Sequence, residues 1–459
     1  MTLLVRGGLV LLPRGPLPRS LLVEAGRIAA VLEPELPGPE QAAVVDATGL
    51  WVLPGAIDAH VHGRDPGFPD KEDFATLTAA AAAGGVTTVV DMPNTVPAVD
   101  SAPVLEAKAE LVGRRARIDF GLWGVVRSST DADAARGLLS AGAVGLKAYL
   151  GYAYRRSDRS LVYSPEVQGP DLETPPDYST LSRLAPELAA LGALLAVHAE
   201  DAGTLLARAR AIVSYEDLLA SRPEEAEAIA VAALGAISAR SGLAVHIAHL
   251  SSAAGLEAAL AARAGGADLS LETCPQYLYL TQADHPRLGS LMRMNPPVRR
   301  EEDRAALQAA LWRGEIEIVA TDHAPHTDGQ KLGLGLADAH PGSPGVQTLY
   351  LSCLELARRL GDVWRAPRWV SEAPARRLGL WPRKGTLDVG ADADLVLVDP
   401  HACTEVNAEG MFSRQRHGAL DGQAFQFAVR QVYARGELVF SQGAVVGEPG
   451  RGQRLRPQR

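Results

Sequence analysis

Two histidines two residues apart, His60 and His62, close the apolar run that begins at Trp51 and passes through Gly55-Ala56-Ile57-Asp58-Ala59. On a strand, side chains two apart face the same side, so the pair forms a pincer for a divalent ion. An ion needs further ligands, and candidates recur downstream: Lys147 in Gly145-Leu146-Lys147-Ala148-Tyr149, His198 in Val197-His198-Ala199-Glu200-Asp201, and His246 and His249 in His246-Ile247-Ala248-His249-Leu250. The last group is Thr321-Asp322-His323-Ala324-Pro325-His326. Lys147 is the odd member, because an ammonium cannot ligate a cation. Were it to react with carbon dioxide, the carbamate would be an anion with two oxygens, able to bridge two ions as a carboxylate does. Four imidazoles, the carbamate and Asp322 could then surround two metals. Such a donor set suits zinc, and equally manganese, cobalt or iron.

These residues meet only if the segments carrying them end on one side of a sheet. Short apolar strand candidates lie at 57–61, 87–92, 118–125, 145–149, 194–199, 244–250, 268–272 and 316–321, with Ala- and Leu-rich helical stretches between them. Eight alternating βα units predict an α/β fold, a (β/α)8 TIM barrel, whose chemistry sits at the carboxyl ends of its strands. The ends of the chain add β-like pieces at 3–6, 21–24, 28–32 and 43–46, and again at 385–387, 394–398, 429–433 and 438–440. Neither set has enough strands for a core of its own. The expected plan is therefore a barrel over 54–370 and a small β-sandwich domain built from 1–53 and 371–445. A flexible tail is expected over 446–459, where Arg451, Arg454, Arg456 and Arg459 sit among Gly, Pro and Gln. The segments 152–178 and 327–345 exceed ordinary connector length, and each reads as a lid or as an inert insertion.

The composition narrows the class. A chain of 459 residues with 47% hydrophobic and 22% charged residues can fill a large core and is not disordered. A net charge of −9 disfavours a nucleic-acid surface. No apolar run approaches membrane-spanning length, and no signal cleavage pattern follows Met1. Three cysteines, Cys274, Cys353 and Cys403, lack Cys-x-x-Cys spacing and suggest neither a disulfide framework nor a thiolate zinc site. A cytoplasmic protein with no membrane or nucleic-acid partner is expected.

The ligand residues at these strand ends resemble the amidohydrolase superfamily, and within it the cyclic amidohydrolases that include dihydroorotase, allantoinase and dihydropyrimidinase (hydantoinase). The likeness runs over nearly the whole chain and includes the split β domain. It implies that His60, His62 and Asp322 hold one ion and His198 and His249 the other, with carboxylated Lys147 bridging. His246 and His323 fall outside that set and read as supporting residues. The resemblance further implies a small-molecule cyclic amide substrate and a homo-oligomer, a dimer or tetramer. In such a site the two metals acidify a shared water and polarise the ring carbonyl, while Asp322 carries the proton to the leaving nitrogen.

Specificity has to be read from the neighbours. Arg64, Asn94 in Met92-Pro93-Asn94-Thr95, and His326 stand where dihydroorotases bind the substrate carboxylate, and guanidinium, amide and imidazole together suit an anion. Asn295 in Met294-Asn295-Pro296-Pro297 is further dihydroorotase-like text. Against this, Glu272-Thr273-Cys274-Pro275-Gln276 resembles hydantoinases and allantoinases, and Tyr152 matches a substrate-contacting tyrosine of hydantoinases. Dihydroorotase, acting in pyrimidine synthesis, leads these expectations. Allantoinase or hydantoinase is the alternative, and a metal-free scaffold protein is the third.

Overall fold

The computed structural model describes residues 2–163 and 169–458. Five strands come first: β1 (Thr2–Leu12), β2 (Gly15–Glu24), β3 (Arg27–Leu32), β4 (Ala43–Asp46) and β5 (Trp51–Pro54). β1 runs antiparallel to β2 and parallel to β4 and β5. Its register with β2 shifts between Val5 and Gly8, and Gly7 takes φ +77° there, a conformation costly to any residue with a Cβ.

The chain then enters a run of parallel strands: β6 (Ala56–Val61), β7 (Val86–Asp91), β8 (Asp119–Leu122), β9 (Gly124–Val126) and β10 (Leu146–Tyr149). A small separate sheet of β11 (Ala153–Arg155), β12 (Leu161–Val162) and β13 (Leu172–Glu173) interrupts it. Part of the long segment anticipated at 152–178, residues 164–168, lies outside the described residues. The run resumes with β14 (Leu194–His198), β15 (Ala244–Ile247), β16 (Leu269–Thr273) and β17 (Ile318–Val319).

Ladders join β6, β7 and β8 in one parallel sheet, and β9, β10, β14, β15, β16 and β17 in another. β8 and β9 flank Trp123, whose backbone N–H donates to Asp91 O at 3.0 Å while its indole N–H donates to Ala59 O at 3.1 Å. At the far edge, Val61 bridges His323 in parallel, and His62 N donates to His323 O at 2.8 Å. The stretch after the last strand of this run thus meets the first strand, β6. Most of their residues are buried on both faces, which is why they read as continuous apolar runs rather than alternating ones. Helices such as Phe74–Ala83 and Ala253–Ala264 fill the connections, opened by Asp73 and Ser252 as N-caps.

β18 (Leu395–Asp399) pairs antiparallel with β5 and with a later strand, bringing the two ends of the chain together. After the ribbon of β19 (Thr404–Glu405) and β20 (Ala424–Phe425) come β21 (Ala428–Ala434), β22 (Glu437–Ser441) and β23 (Ala444–Val445). Hydrogen bonding makes the terminal region one continuous nine-stranded sheet. Leu3, Val5, Leu21, Val52, Leu395 and Leu397 form its apolar cluster.

Two features weld this sheet to the parallel strands. Lys384 is 1% exposed on its side chain, and its ammonium meets Asp119 at 2.6 Å, Asp394 at 2.8 Å and Asp392 at 3.0 Å. Asp119 opens β8, so the cluster lies at the end of that strand remote from the histidines. The second feature is the stretch expected to be a flexible tail. Gln453 O accepts from Phe120 N at 3.0 Å, and Leu455 N donates to Phe120 O at 2.7 Å with its side chain buried. Arg451 and Arg454 donate to Ala434 O and Ala141 O. Loop-like composition concealed one apolar anchor and two arginines that satisfy exposed carbonyls. Among the described residues no helix is long and apolar enough to cross a membrane.

Candidate metal centre

His60 stands near the end of β6, and His62 follows just past it. Asp58, two residues before His60, accepts from the backbone and hydroxyl of Thr321 and so ties β6 to the stretch carrying Asp322. His60 Nε2 lies 3.3 Å and His62 Nε2 3.0 Å from Asp322 Oδ1. The three ligand atoms fall within 4.8 Å of one another. His60 Nδ1 is 2.8 Å from Glu272 Oε1, and His62 Nδ1 is 2.7 Å from Asn94 Oδ1. Both oxygens accept, so each ring carries its proton on Nδ1 and presents the Nε2 lone pair to the shared space.

A second group faces the same space. His198, the last residue of β14, points Nδ1 at His249 Nε2 over 2.9 Å, and its Nε2 donates to Glu200 Oε2 over 2.7 Å. Burial holds His198 and His249 below the usual histidine range and brings His62 down to about 4, so these imidazoles are neutral and free to ligate. Burial would raise Asp322, but the neighbouring His60 and His62 outweigh it and keep the carboxylate ionised.

Lys147 is fully buried on β10, and its Nζ has no hydrogen-bond partner among the described residues. Burial pushes it down to about 8, a shift that Glu272 and Asp322 only partly offset. The neutral amine is the form that adds to carbon dioxide. An amine left without an acceptor in a dry site is costly, and conversion to an anion between two ions would relieve that cost. The donors therefore fit a pair of divalent cations: three neutral imidazole nitrogens and a fourth beside an ionised carboxylate, with an unsatisfied amine on β10, the strand paired with that of His198.

The backbone is held in an unusual state here. Arg64, His249 and Asp322 adopt φ of 59°, 42° and 48°, the left-handed region that non-glycine residues seldom occupy. Each such residue costs on the order of 1–3 kcal/mol and persists only where its surroundings fix it.

All five first-named histidine and aspartate ligands, His60, His62, His198, His249 and Asp322, line one cavity of about 440 Å³ together with Arg64, Tyr152, Tyr163 and Asn295. Of the expected trio for a substrate carboxylate, Arg64 and His326 meet, with Arg64 Nη2 3.4 Å from His326 Nε2. Arg64 reaches the cavity, is 4% exposed, and leaves Nε without a partner. Asn94 spends its carbonyl on His62 and its amide on Tyr163 Oη at 2.8 Å. His326 places Nε2 3.0 Å from Pro341 O and Nδ1 3.2 Å from Lys71 Nζ. Asn94 and His326 thus have protein partners.

Tyr152 Oη accepts from Arg222 at 2.7 Å and from Asn295 at 3.2 Å. Burial raises its phenol to about 12, so it keeps its proton, which is left to donate into the cavity. His246 is held between Ser270 and Glu272, and His323 between Glu72 and the Gly345 amide, away from the ligand set.

Sequence reasoning passed over Glu272 and Glu200, the carboxylates that orient His60 and His198. Glu272 lies near the end of β16, a strand without a ligand of its own, and an acid inside the apolar run Leu269–Thr273 was the available signal. Glu272→Gln removes the charge behind His60 while keeping the shape. Metal affinity is expected to fall by roughly 10- to 100-fold, the usual effect of an outer-shell partner, read by competition with a chromophoric chelator.

Residues 51–439 match the family described as Amidohydrolase family. The chain is 36% identical over 452 residues to an allantoinase of Streptomyces avermitilis, covering 98% of both chains. It is 35% identical to a dihydroorotase of Halobacterium salinarum, covering 95% of this chain and 96% of that one. Among solved structures, the L-hydantoinase (dihydropyrimidinase) of Arthrobacter aurescens superposes with a TM-score of 0.90 at 29% identity, over 99% of this chain and 100% of the other.

Proposed function

This chain belongs to the amidohydrolase family, and we propose from that premise that it opens the ring amide of a cyclic ureide, with allantoin as its substrate. The reading places the reaction at the mouth of a closed (β/α)8 barrel in a cytoplasmic homo-oligomer, a dimer or tetramer. The observation that carries it is the meeting of His60, His62 and Asp322 with His198 and His249 at one cavity, beside the buried, unpartnered Lys147 on β10, which pairs with the strand of His198.

Two divalent ions, zinc being the natural choice for this donor set, would be held by those residues with Lys147 carboxylated, and would supply Lewis acidity at the carbonyl and a lowered pKa for water. Asp322, already ionised, takes a proton from the attacking water and returns it to the ring nitrogen as the C–N bond breaks. Tyr152 O–H, its oxygen fixed by Arg222 and Asn295, donates to a substrate carbonyl. Arg64 offers further N–H donors to the ring's ureide oxygens.

Two observations support the reading of allantoin over dihydroorotate. A ring carboxylate would want Arg64, Asn94 and His326 together, and the latter two are engaged by the protein. A neutral ureide asks only for the donors that remain. The relatives named allantoinase also align over nearly the whole of both chains. The second reading, dihydroorotase, keeps one specific support, the Arg64 guanidinium that meets no carboxylate in the protein.

The test is hydrolysis of allantoin, dihydroorotate, hydantoin and dihydrouracil, side by side, by zinc-loaded protein. Preference for allantoin in kcat/KM is the expected result. Preference for dihydroorotate would transfer the assignment to the second reading. No ring opening on any of the four, with less than one equivalent of bound metal, would return the chain to the scaffold reading.

A further inference from the structure

The geometry points to a second binding site beside the catalytic cavity, a basic vestibule that takes the carboxylate of the ring-opened ureido acid. It rests on the function proposed above in one respect, that the product is an anion. Water adds OH to the amide carbon and H to the ring nitrogen as the C–N bond breaks, and the resulting acid releases a proton at neutral pH. A neutral ring enters, and an anion and a proton leave.

A space of about 1280 Å³ adjoins the catalytic cavity, and Tyr163, Asn295 and Pro341 belong to the walls of both. Arg293 forms part of the outer wall. Its Nη1 donates to Asn295 Oδ1 at 2.5 Å and its Nε to Leu336 O at 3.1 Å. Behind it Lys331, 4% exposed, donates to Arg293 O at 2.7 Å and His340 O at 3.1 Å. The His340 ring lies 5.0 Å from that of His326, which in turn meets Lys71 and Arg64.

Four cations, Arg64, Lys71, Arg293 and Lys331, therefore surround two imidazoles, and among the described residues none of the four forms an ion pair. Four such cations gather here in a chain whose 54 acidic residues outnumber its 45 basic ones. Lys108, Arg222 and Lys384, also buried, are paired with Asp91, Glu200 and three aspartates, whereas Arg299 and the Lys147 of the metal centre are not. Asp338, also on the vestibule wall, is exposed and forms no ion pair, and Glu200 is committed to Arg222 and His198. Burial brings Lys331 down to about 7 and Arg293 to about 10, as expected of cations without counter-ions. Charged donors that neutral carbonyls meet only in part keep the capacity to bind an anion, and a cleft of one sign concentrates it. Arg293 is the recognition residue, and Lys331 fixes the loop behind it.

The experiment is calorimetric titration of the full-length, zinc-loaded protein with N-carbamoylglycine, the smallest ureido acid, and with its neutral amide, N-carbamoylglycinamide. Arg293→Gln is expected to weaken the acid by roughly tenfold or more while moving the amide less than about threefold, as for loss of one charge-assisted contact. Arg293→Lys should recover most of the acid's affinity, which a merely structural role would not predict. Equal weakening of acid and amide overturns the vestibule, and so does displacement of the acid by inorganic phosphate at equal concentration, which would mark a general anion patch. Binding is read without turnover. A protein that binds the acid through Arg293 but opens no ring leaves the vestibule standing and removes the function proposed; one that opens rings but treats acid and amide alike does the reverse.

Discussion

Lys147→Ala is expected to abolish ring opening and to strip the protein of metal. Carboxylated, Lys147 would supply the anion that joins the two groups of ligands, so removal of the amine removes the means of joining them. Altering an outer-shell partner alone costs roughly 10- to 100-fold in metal affinity, and loss of a bridging ligand should exceed that. Activity should fall by about a thousandfold or more, the scale of losing preorganised charge stabilisation at the reacting carbonyl. The fold should survive, because a lone buried amine is itself unfavourable. The decisive readouts are metal content after dialysis and partial rescue by propionate, whose carboxylate can enter the space vacated by the side chain. Near-normal turnover, or normal metal content, would end the binuclear reading.

Asp322→Asn is the second large effect. Asparagine keeps the size and one oxygen of the aspartate but cannot accept the proton of the attacking water. A positioned acid or base contributes roughly 10²- to 10⁴-fold, and kcat should drop on that scale. KM should change much less, because His60, His62 and the second group of ligands still shape the cavity. A KM rise with kcat preserved would instead make Asp322 a binding residue and remove it from proton transfer.

The chemistry and much of the fold were legible in the sequence for a common reason. A strand buried on both faces must be apolar along its length, so β14 and β7 stand out as short continuous runs. A histidine or lysine at the end of such a run has no apolar explanation. Less visible were details set by neighbours in space. The candidate strand at 118–125 divides at Trp123, whose indole reaches across to Ala59. The duties of Asn94 depend on Tyr163, and those of His326 on Pro341, and no local spacing records either contact. Glu272 hid in an apolar strand because its partners, His60 and His246, come from other strands. The tail escaped because one leucine among arginines, glycines and prolines is weak sequence evidence, yet Leu455 is enough to dock it on β8.

The Lys384 cluster also bears on the order in which the molecule can be made. Asp119 leaves the ribosome 265 residues before the lysine that neutralises it. Until then its carboxylate must remain in water, because burying an unpaired charge costs several kcal/mol. The foot of β8 would then stay open for most of translation. Asp322 too is synthesised before Lys384, so the ligands are all present before the scaffold that aligns them can close. Completion of the site would then wait on a residue that never touches it.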